Sequence, residues 1–555
     1  MCPFARDRCS NSFFVVPFLY YVMEKISWFI WNRQKGCHIV RKSVKRWALH
    51  IFLMCFIALV HLEGLLAQGK LQDSRVMLQG FYWESYRFGH QAEFPEIVQG
   101  QANEGRNWYQ VVKDSAGTIR KGRFDLIWLP PPAKASLGAG YDPREYFNLN
   151  NAYGDTLSHR KMLEALWANG VEPLADIVVN HRNGATTWTD FKNPDWSTKT
   201  ICSDDECFNS VNSGVYGLAD SLRGNLEERV QNYDASRERA YAYGDFRDID
   251  HTHPMVQKDI VRYLLYLKSM GYKGWRYDMV HGYHAKHIGY YNKMTKPTFS
   301  VGEYDWDKQE GQRGWTWNTA TETAGVGTAH LATSSSVFDF KTKDALNGAI
   351  GYNCAGHANY DNLYAYDNGL GLMGDNTDGI AWKNRAVTFL ENHDTGWRTD
   401  NDGKPQSDHQ HDSFSNDWQV EQAYAYILTH PGVPCVYWKH YFDWGKDLQA
   451  KIGALVNARK VAGVHAASAL NTQKNARTAG VYAAMVEGSQ GQLYVRIGGD
   501  DTKWNPSMSA YSNYREYAAG NGWKVWVKLN DAAKNTKVQA YRLNANLGIL
   551  PKIKK

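Results

Sequence analysis

The sequence lacks the features that mark three large classes of protein. Its eight cysteines include no CxxC pair, which argues against a cysteine zinc site. No G-x-G-x-x-G loop follows the first predicted strand, and no stripe of basic residues of the kind found in nucleic-acid-binding proteins is present. Hydrophobic residues make up 43% and aromatic residues 14% of the chain, including 21 Trp, which is typical of a globular protein. The tryptophans could either enlarge the hydrophobic core or provide surfaces on which sugar rings stack.

The net charge of +6 comes entirely from the first 68 residues, which hold nine Lys/Arg and three Asp/Glu. The remaining residues carry 54 of each sign and are formally neutral. Residues 1–68 also contain a cationic segment at 41–46, an apolar run at about 48–60 and small residues near Ala67, which is the layout of a secretory signal peptide. A signal peptide after a mis-assigned translation start and a membrane anchor are the two interpretations. We favour the first, because the apolar run is short for a membrane span.

The signal-peptide interpretation predicts a secreted protein, extracellular or periplasmic, that begins near Gln68. Four of the eight cysteines lie in the leader. Of the other four, Cys202 and Cys207 stand close enough in sequence to form a small loop disulfide in an oxidising compartment.

From about residue 74, short apolar segments alternate with amphipathic ones. "LSHRKMLEALWANG" and "VQKDIVRYLLYLKSMG" are predicted helices. The predicted strands are "RVMLQGFYW", "FDLIWLPPP", "VEPLADIVVNH", "GWRYDMV", "TFSVGEY", "RAVTFLENHD" and "GVPCVYW". Alternation of this kind predicts an α/β fold with a parallel sheet and crossover helices. About eight such units over roughly 380 residues favour a closed (β/α)8 TIM barrel over an open doubly wound sheet.

Two further segments depart from the barrel pattern. After the third strand comes a polar, Gly- and Asn-rich stretch of about 70 residues, too long for an ordinary connection, which predicts an inserted domain at 183–251. After about residue 460, alternating segments such as "GVYAAMVEG", "QLYVRIGG" and "GWKVWVKL" predict a C-terminal antiparallel β domain at 460–555. The barrel would then comprise residues 69–182 and 252–459.

Polar residues follow most of the predicted barrel strands. Asp278 ends "GWRYD", Glu303 ends "SVGE" and Asp394 ends "FLENHD". A single acid after a strand is usually a helix cap, but the C-terminal ends of barrel strands meet at one mouth, where active sites are built. Three carboxylates at three strand ends are therefore predicted to lie together.

Clustered acids without a reactive cysteine or a phosphate loop suit retaining glycoside hydrolysis, which uses one carboxylate as nucleophile and a second as general acid. Arg276 stands two residues before Asp278 and therefore points to the same side of the strand. A guanidinium there would favour the ionised form of the nucleophile. The general acid needs a raised pKa, which burial and nearby negative charge can provide.

Five motifs, in order "DIVVNH", "FRDIDH", "GWRYDMVHGY", "VGEYDW" and "FLENHD", resemble those of the α-amylase family of glycoside hydrolases (family 13). "WLPPPAKASLGAGYDP" and "LTHPGVPCVYWKHYFDWG" are similar to segments of plant-type and related bacterial α-amylases. The resemblance runs from about residue 74 to the end of the chain. It implies a barrel with an insert after the third strand and a C-terminal β domain, in agreement with the pattern of strands and helices.

The resemblance also implies catalytic roles. By position in the motifs, Asp278 corresponds to the nucleophile, Glu303 to the general acid/base and Asp394 to the residue that stabilises the transition state. Arg276 corresponds to the cation that supports the nucleophile.

Four further residues are implied to contact the substrate. His181 and His393 correspond to residues that hydrogen-bond the glucose unit at the cleavage point, and Tyr141 to one that stacks on it. His281 stands where many family members have a substrate-contacting lysine, so the next subsite is where this chain departs from the family pattern.

A structural Ca²⁺ between barrel and insert is implied as well. Asn180, Asp248 and the carbonyl of Gly282 match liganding positions of the family, and oxygen ligands of this kind suit a hard cation. Asp234 and Glu238 are two candidates for a further acidic ligand.

The favoured hypothesis is a secreted, monomeric α-amylase that cuts internal α-1,4 bonds of starch- or glycogen-type glucans with retention of configuration. The predicted partners are the glucan and Ca²⁺, with no nucleic acid and no stable membrane association after leader removal. An exo-acting, debranching or transglycosylating family member is the alternative. A non-catalytic amylase-like binding protein is disfavoured, because such proteins lack the full set of acids.

Overall fold

The computed structural model divides the chain into two compact units, Met1–Ala67 and Gln68–Lys555, and all described residues belong to the second. Among the described residues no helix is both long and apolar enough to span a bilayer. The leader, Cys207, Asp234 and Glu238 lie outside the described residues. The described residues are 71–90, 105–136, 138–184, 190–202, 246–305, 310–320, 327–351, 358–368, 380–396, 414 and 416–531.

Eight parallel strands form a closed barrel in chain order, with the last strand paired to the first. The strands are β1 (Met77–Gln79), β2 (Leu126–Leu129), β3 (Glu172–Ile177), β4 (Gly274–Tyr277), β5 (Ser300–Gly302), β6 (Ser336–Phe338), β7 (Ala386–Thr388) and β8 (Val433–Tyr437). The prediction of a (β/α)8 barrel is confirmed.

Helices alternate with these strands and form the outer layer. They are α1 (Trp108–Lys121), α2 (Thr156–Ala168), α3 (Pro254–Met270), α4 (Ala285–Thr295), α5 (Glu310–Asn318), α6 (Phe340–Ile350), α7 (Asp417–Thr429) and α8 (Lys446–Ala462). Each helix runs back past the barrel, so helix C-termini and strand N-termini share one end of the molecule.

The sequence around α3 shows how the catalytic strand is placed. His253 caps the helix, Pro254 occupies its first turn, and Gly271 ends it with φ of 125°, a value that favours glycine. Three residues later β4 begins at Gly274, where a Cβ atom would lie 2.2 Å from the carbonyl oxygen of Phe299. Glycine is therefore required where the chain enters β4.

Short elements complete the barrel part. Lys134–Ala135 pairs with Pro143–Glu145, and His181–Arg182 pairs with Arg247–Asp248. The second pair joins the two ends of the segment predicted as an insert after β3. The 3-10 segments are Trp83–His90, Thr198–Thr200, Val280–Gly282, Gly327–Thr333, Tyr360–Asn368, Trp382–Arg385 and Pro506–Ser509, and a π-helical turn spans Lys439–Asp443.

The C-terminal part is a five-stranded antiparallel sheet with strand order β9-β10-β11-β13-β12, which confirms the predicted β domain. Its elements are β9 (Leu470–Thr472), the short helix α9 (Lys474–Thr478), β10 (Tyr482–Gly488), β11 (Gly491–Ile497), β12 (Arg515–Gly520) and β13 (Trp523–Leu529).

A buried acid joins this sheet to the barrel helices. Glu421 on α7 accepts hydrogen bonds from the backbone N–H of Asn521 (2.8 Å) and the indole N–H of Trp523 (3.0 Å). Its other carboxylate oxygen lies 2.6 Å from the ammonium of Lys451 on α8. One carboxylate thus connects two barrel helices to the C-terminal sheet.

Candidate active site

One buried guanidinium stands at the centre of the barrel mouth. Arg276 on β4 lies 2.8 Å from Asp176 and 2.6 Å from Asp278 through one terminal nitrogen, and 2.8 Å from Glu303 through the other. Its side chain is 1% exposed. The structure thus brings together Arg276, Asp278 and Glu303, and adds a third acid, Asp176, from the neighbouring strand.

The barrel ladder continues for one residue beyond β4 and β5 and thereby positions both carboxylates. The backbone N–H of Asp278 donates to the carbonyl of Ile177, and that of Glu303 donates to the carbonyl of Tyr277. The next residue, Met279, adopts φ of 41° and donates its N–H to the Glu303 carboxylate (3.2 Å). Both acids are therefore fixed at the C-terminal ends of adjacent strands.

The electrostatics follow from burial and crowding. Burial raises the pKa of Asp278 well above its usual value, Arg276 opposes this, and the charges of Glu303 and Asp176 add to the increase. Burial of Arg276 favours its neutral form, but the three carboxylates together hold its pKa well above the usual value. A single permanent cation among several acids gives the mouth an excess of negative charge, which suits a transition state that develops positive charge.

Asp176 is the main site residue that the sequence interpretation missed. It is fully buried within β3, level with Arg276 on β4, and it also accepts hydrogen bonds from the indole of Trp128 (3.0 Å) and the hydroxyl of Tyr141 (2.9 Å). Burial raises its pKa to about 6, although Arg276 and these donors act in the opposite direction. The available signal was an acid inside an otherwise apolar strand.

Tyr141 connects the acids to an aromatic wall. Its hydroxyl donates to Asp176, and its carbonyl oxygen accepts a hydrogen bond from Nε2 of His181 (2.7 Å). Its ring lies nearly parallel to those of His393, at 5.1 Å and 8°, and Trp83, at 6.1 Å and 4°. Three of the four predicted substrate-binding residues are therefore adjacent.

His393 and Asp394 follow β7 in one turn. The side-chain amide of Gln79 on β1 donates to Nδ1 of His393 (3.0 Å), whose Nε2 lies 3.2 Å from the Asp394 carboxylate. The side chain of Asn392 accepts from the backbone N–H groups of Asp394 (3.0 Å) and Thr395 (2.8 Å) and thereby fixes the turn. Asp394 is 29% exposed and faces the open side of the mouth.

His281 lies apart from this group. Its Nδ1 is 3.2 Å from the carboxylate of Asp305, which follows β5, and its ring makes an edge contact with Tyr304. Its assignment to a substrate subsite stays a prediction.

The three residues predicted to bind Ca²⁺ lie together. A Cβ atom on Gly282 would lie 1.9 Å from Oδ1 of Asn180, so this glycine allows close approach of the backbone to the amide oxygen. The backbone N–H of Ile249 donates to the carbonyl of Asn180 (3.0 Å), which brings the buried Asp248 alongside. Amide, carbonyl and carboxylate oxygens form a donor set that fits a hard cation. Among the described residues there is no group of three His, Cys, Asp or Glu side chains that could hold a metal.

Comparison with known proteins gives consistent matches. The family model "Alpha amylase, catalytic domain" matches residues 118–440, and "Alpha-amylase C-terminal beta-sheet domain" matches residues 461–527. Probable alpha-amylase 2 of Arabidopsis thaliana is 30% identical over 464 residues, which cover 82% of this chain and 95% of that protein. Glucan 1,4-alpha-maltotetraohydrolase of Roseateles saccharophilus is 30% identical over 507 residues, 88% of this chain and 79% of that one.

Solved structures agree at the level of the fold. The crystal structure of a cyclomaltodextrin glucanotransferase with a three-domain ABC distribution has a TM-score of 0.57 at 15% identity. The match covers 82% of this chain and 100% of that chain.

Proposed function

Because the chain belongs to the α-amylase family of glycoside hydrolases, we propose that it is a secreted, endo-acting α-amylase that hydrolyses internal α-1,4 bonds of starch- or glycogen-type glucans with retention of configuration. The observation that carries the proposal is the pairing of Asp278 and Glu303 with opposite ends of the Arg276 guanidinium. Similarity to a plant α-amylase over nearly its whole length supports the endo-acting mode.

In the first half of the reaction, Asp278 attacks the anomeric carbon while Glu303 donates a proton to the leaving glycosidic oxygen. The bond from C1 to that oxygen breaks, and a covalent glycosyl–Asp278 intermediate forms. In the second half, Glu303 takes a proton from water, the water oxygen attacks C1, and Asp278 leaves as a carboxylate. Two inversions at C1 give net retention.

Arg276 opposes the effect of burial on the charge of the nucleophile. The mechanism needs Asp278 ionised and Glu303 protonated before attack. Burial and the charges of Glu303 and Asp176 raise the pKa of Asp278, whereas the guanidinium of Arg276 lowers it and favours the ionised form. The same guanidinium contacts Glu303 through its other nitrogen and so holds the two carboxylates side by side.

The aromatic wall orients the sugar at the cleavage point. Tyr141 offers a ring face fixed by its hydroxyl bond to Asp176, and His181 and His393 lie beside that ring. Asp394, the most exposed of the site acids, faces the sugar and stabilises positive charge at C1 and the ring oxygen.

Asn180, Asp248 and Gly282 are proposed to hold a structural Ca²⁺, which would add a point of attachment between the insert and the strand that carries Asp278. Gly282 lies four residues after Asp278, so the ion would also restrain the loop at the mouth.

The product distribution on long, soluble α-1,4-glucan tests the proposal. An endo-acting enzyme is expected to lower the chain length rapidly and release a mixture of oligosaccharides that retain the α configuration at the new end. Asp278→Asn is expected to lower kcat by about 10⁴-fold. Maltotetraose as almost the sole product would instead favour the exo-acting mode named for the Roseateles saccharophilus relative.

Removal of Ca²⁺ tests the metal proposal. Chelation is expected to lower the melting temperature by about 3 °C, since a ligand at 100 times its Kd adds about 2.7 kcal/mol to the free energy of unfolding of this large unit. Asn180→Ala should abolish the effect of chelation on the melting temperature and weaken Ca²⁺ binding measured by calorimetry. Asn471 is exposed on the C-terminal sheet, so the control Asn471→Ala should keep the wild-type effect of chelation and the wild-type Ca²⁺ affinity. Equal Ca²⁺ affinity in the two variants would refute the assignment.

A further inference from the structure

Positive charge is concentrated on one side of the barrel. Residues 252–299, which include α3 and α4, contain eight Lys/Arg and two Asp. Both acids, Asp259 and Asp278, are buried, at 6% and 5% exposure. Because the chain after residue 68 is formally neutral, this outer surface is unlike the average surface of the protein.

Three lysines of this segment form a cluster. The ammonium of Lys268, near the end of α3, donates to the carbonyls of Thr295 (2.5 Å) and Lys296 (3.0 Å) just past α4. Partial burial lowers the pKa of Lys268, and repulsion from Lys273 and Lys296 lowers it further. The side chain of Lys268 therefore reaches the backbone of Lys296, and Lys273 and Lys296 are near enough for their charges to act on it.

Exposed apolar side chains lie on the same helices as this cluster and on the neighbouring α2. Trp167 on α2 is 43% exposed, Leu265 on α3 is 45% and Met294 on α4 is 48%. The indole N–H of Trp167 donates to the carbonyl of Gly271 (2.7 Å), and the ammonium of Lys273 lies 4.1 Å from its ring centroid. Of the seven large hydrophobic side chains that are exposed in the described part of the chain, six lie on α2, α3 and α4.

We call the three lysines with Trp167, Leu265 and Met294 the basal patch, because it lies at the end of the barrel where the strands begin. Lys273 immediately precedes β4, and its carbonyl accepts from the N–H of Thr298, just before β5. Asp278 and Glu303 stand at the opposite ends of these strands. Contact through the basal patch would leave the catalytic mouth open.

We propose that the basal patch docks the enzyme peripherally on an anionic phospholipid surface. Lysines attract the phosphate groups, while the rim of Trp, Leu and Met can enter the boundary between headgroups and acyl chains. A neutral glucan offers no partner for the lysines, and a hydrated soluble polyanion offers none for the apolar rim. Glu172, at the margin, shares Arg75 with Asp73, and a single carboxylate there leaves the three lysines with a net positive charge. Such salt-sensitive contact is distinct from the stable association that the sequence argues against.

Vesicle co-sedimentation tests this proposal with the chain that starts at Gln68, a compact unit without the apolar leader. Wild type should bind vesicles of mixed phosphatidylglycerol and phosphatidylcholine at low salt, and should not bind phosphatidylcholine alone. The variant Lys268→Gln/Lys273→Gln/Lys296→Gln should bind on the order of 100-fold more weakly, at about 1 kcal/mol per lysine. The control Lys446→Gln/Lys474→Gln/Lys503→Gln removes the same charge from exposed positions elsewhere and should bind like wild type.

A second pair of measurements separates lipid from soluble polyanion. Leu265→Ser/Met294→Ser should weaken vesicle binding and leave retention on a heparin column unchanged. All variants should hydrolyse soluble starch at the wild-type rate, which checks that they are folded. Absence of wild-type binding to the anionic vesicles, or equal loss in both lysine variants, overturns the proposal. Heparin retention without vesicle binding would reassign the patch to a soluble polyanion.

Discussion

Asp176 shows how a single buried residue can organise the candidate active site. Its carboxylate contacts Arg276, Trp128 and Tyr141, each from a different part of the barrel mouth. Arg276 in turn contacts the carboxylates of Asp278 and Glu303. One buried acid thus fixes the positions of both the proposed nucleophile, Asp278, and the ring of Tyr141.

The raised pKa of Asp176 predicts a pH-dependent stability difference. Its pKa is about 6 in the folded protein and 3.8 as an ordinary side chain, so the folded state binds this proton more tightly. The resulting stabilisation is fully present below about pH 4 and is lost as the pH rises through about 6. The asparagine of the variant Asp176→Asn stays neutral at every pH, so the variant does not lose this stabilisation. The free energy of unfolding of the variant, relative to that of wild type, should therefore increase by about 3 kcal/mol between pH 4 and pH 7.

Urea unfolding of both proteins at several pH values measures this difference. Loss of the Asp176 charge also lowers the pKa of Asp278 in the variant, which changes the difference in the same direction as the pH rises. A difference that stays flat, or falls with rising pH, would contradict the raised pKa.

At the residue scale, the sequence predicted those site residues that stand at strand ends. Asp278 and Glu303 follow apolar runs, and Arg276 is linked to Asp278 by the two-residue period of a strand. Asp176 and Gln79 were not predicted, because each lies within its strand and points into the barrel. Which side chains meet inside a barrel depends on closure and register, and neither is encoded in a local pattern.

At the scale of elements, the approach of β4 to β5 is limited by a glycine. A Cβ atom at Gly274 would lie 2.2 Å from a backbone oxygen, whereas one at Gly453, within α8, would meet nothing within 4 Å. The same substitution should therefore have opposite effects. Gly274→Ala is expected to destabilise the protein by about 2–4 kcal/mol through displacement of the backbone. Gly453→Ala is expected to stabilise it by about 0.5–1 kcal/mol, because alanine favours the helix.

Denaturant midpoints of the two variants check this pair. Because β4 carries Arg276 and leads to Asp278, Gly274→Ala should also lower kcat, and Gly453→Ala should not. Equal shifts of the two midpoints in one direction would count against the close approach of β4 and β5.

Local apolar patterns predicted seven of the eight barrel strands. The missing one, β6 (Ser336–Phe338), is three residues long and begins at the last of three consecutive serines in "TSSSVFDF". It is a strand because β5 and β7 flank it and complete its hydrogen bonds. Tertiary pairing decides its structure, and local propensity does not.

At the scale of the whole molecule, the C-terminal sheet is held to the barrel helices through Glu421. Glu421→Ala would leave the indole of Trp523, the N–H of Asn521 and the ammonium of Lys451 without this acceptor in a buried interface. We expect a loss of about 2–4 kcal/mol in the free energy of unfolding. The control Asp447→Ala removes the other carboxylate that is paired with Lys451. Because the side chain of Asp447 is 84% exposed, this variant should change the free energy of unfolding by less than about 0.5 kcal/mol.

Limited proteolysis and chemical unfolding distinguish the outcomes. Glu421→Ala should expose cleavage sites between α8 and the C-terminal sheet earlier than Asp447→Ala does. Identical cleavage rates would mean that apolar packing alone holds the two parts together.

The closure of the barrel has a consequence for the order of biosynthesis. β1 lies between β2 and β8, and Met77 pairs with Cys435, so the ring cannot close until the ribosome has made almost the whole catalytic part. Until then β1 and β7 each have an open edge, and the growing chain has no finished barrel to unfold. The last strand of the barrel therefore decides when the first strand becomes protected.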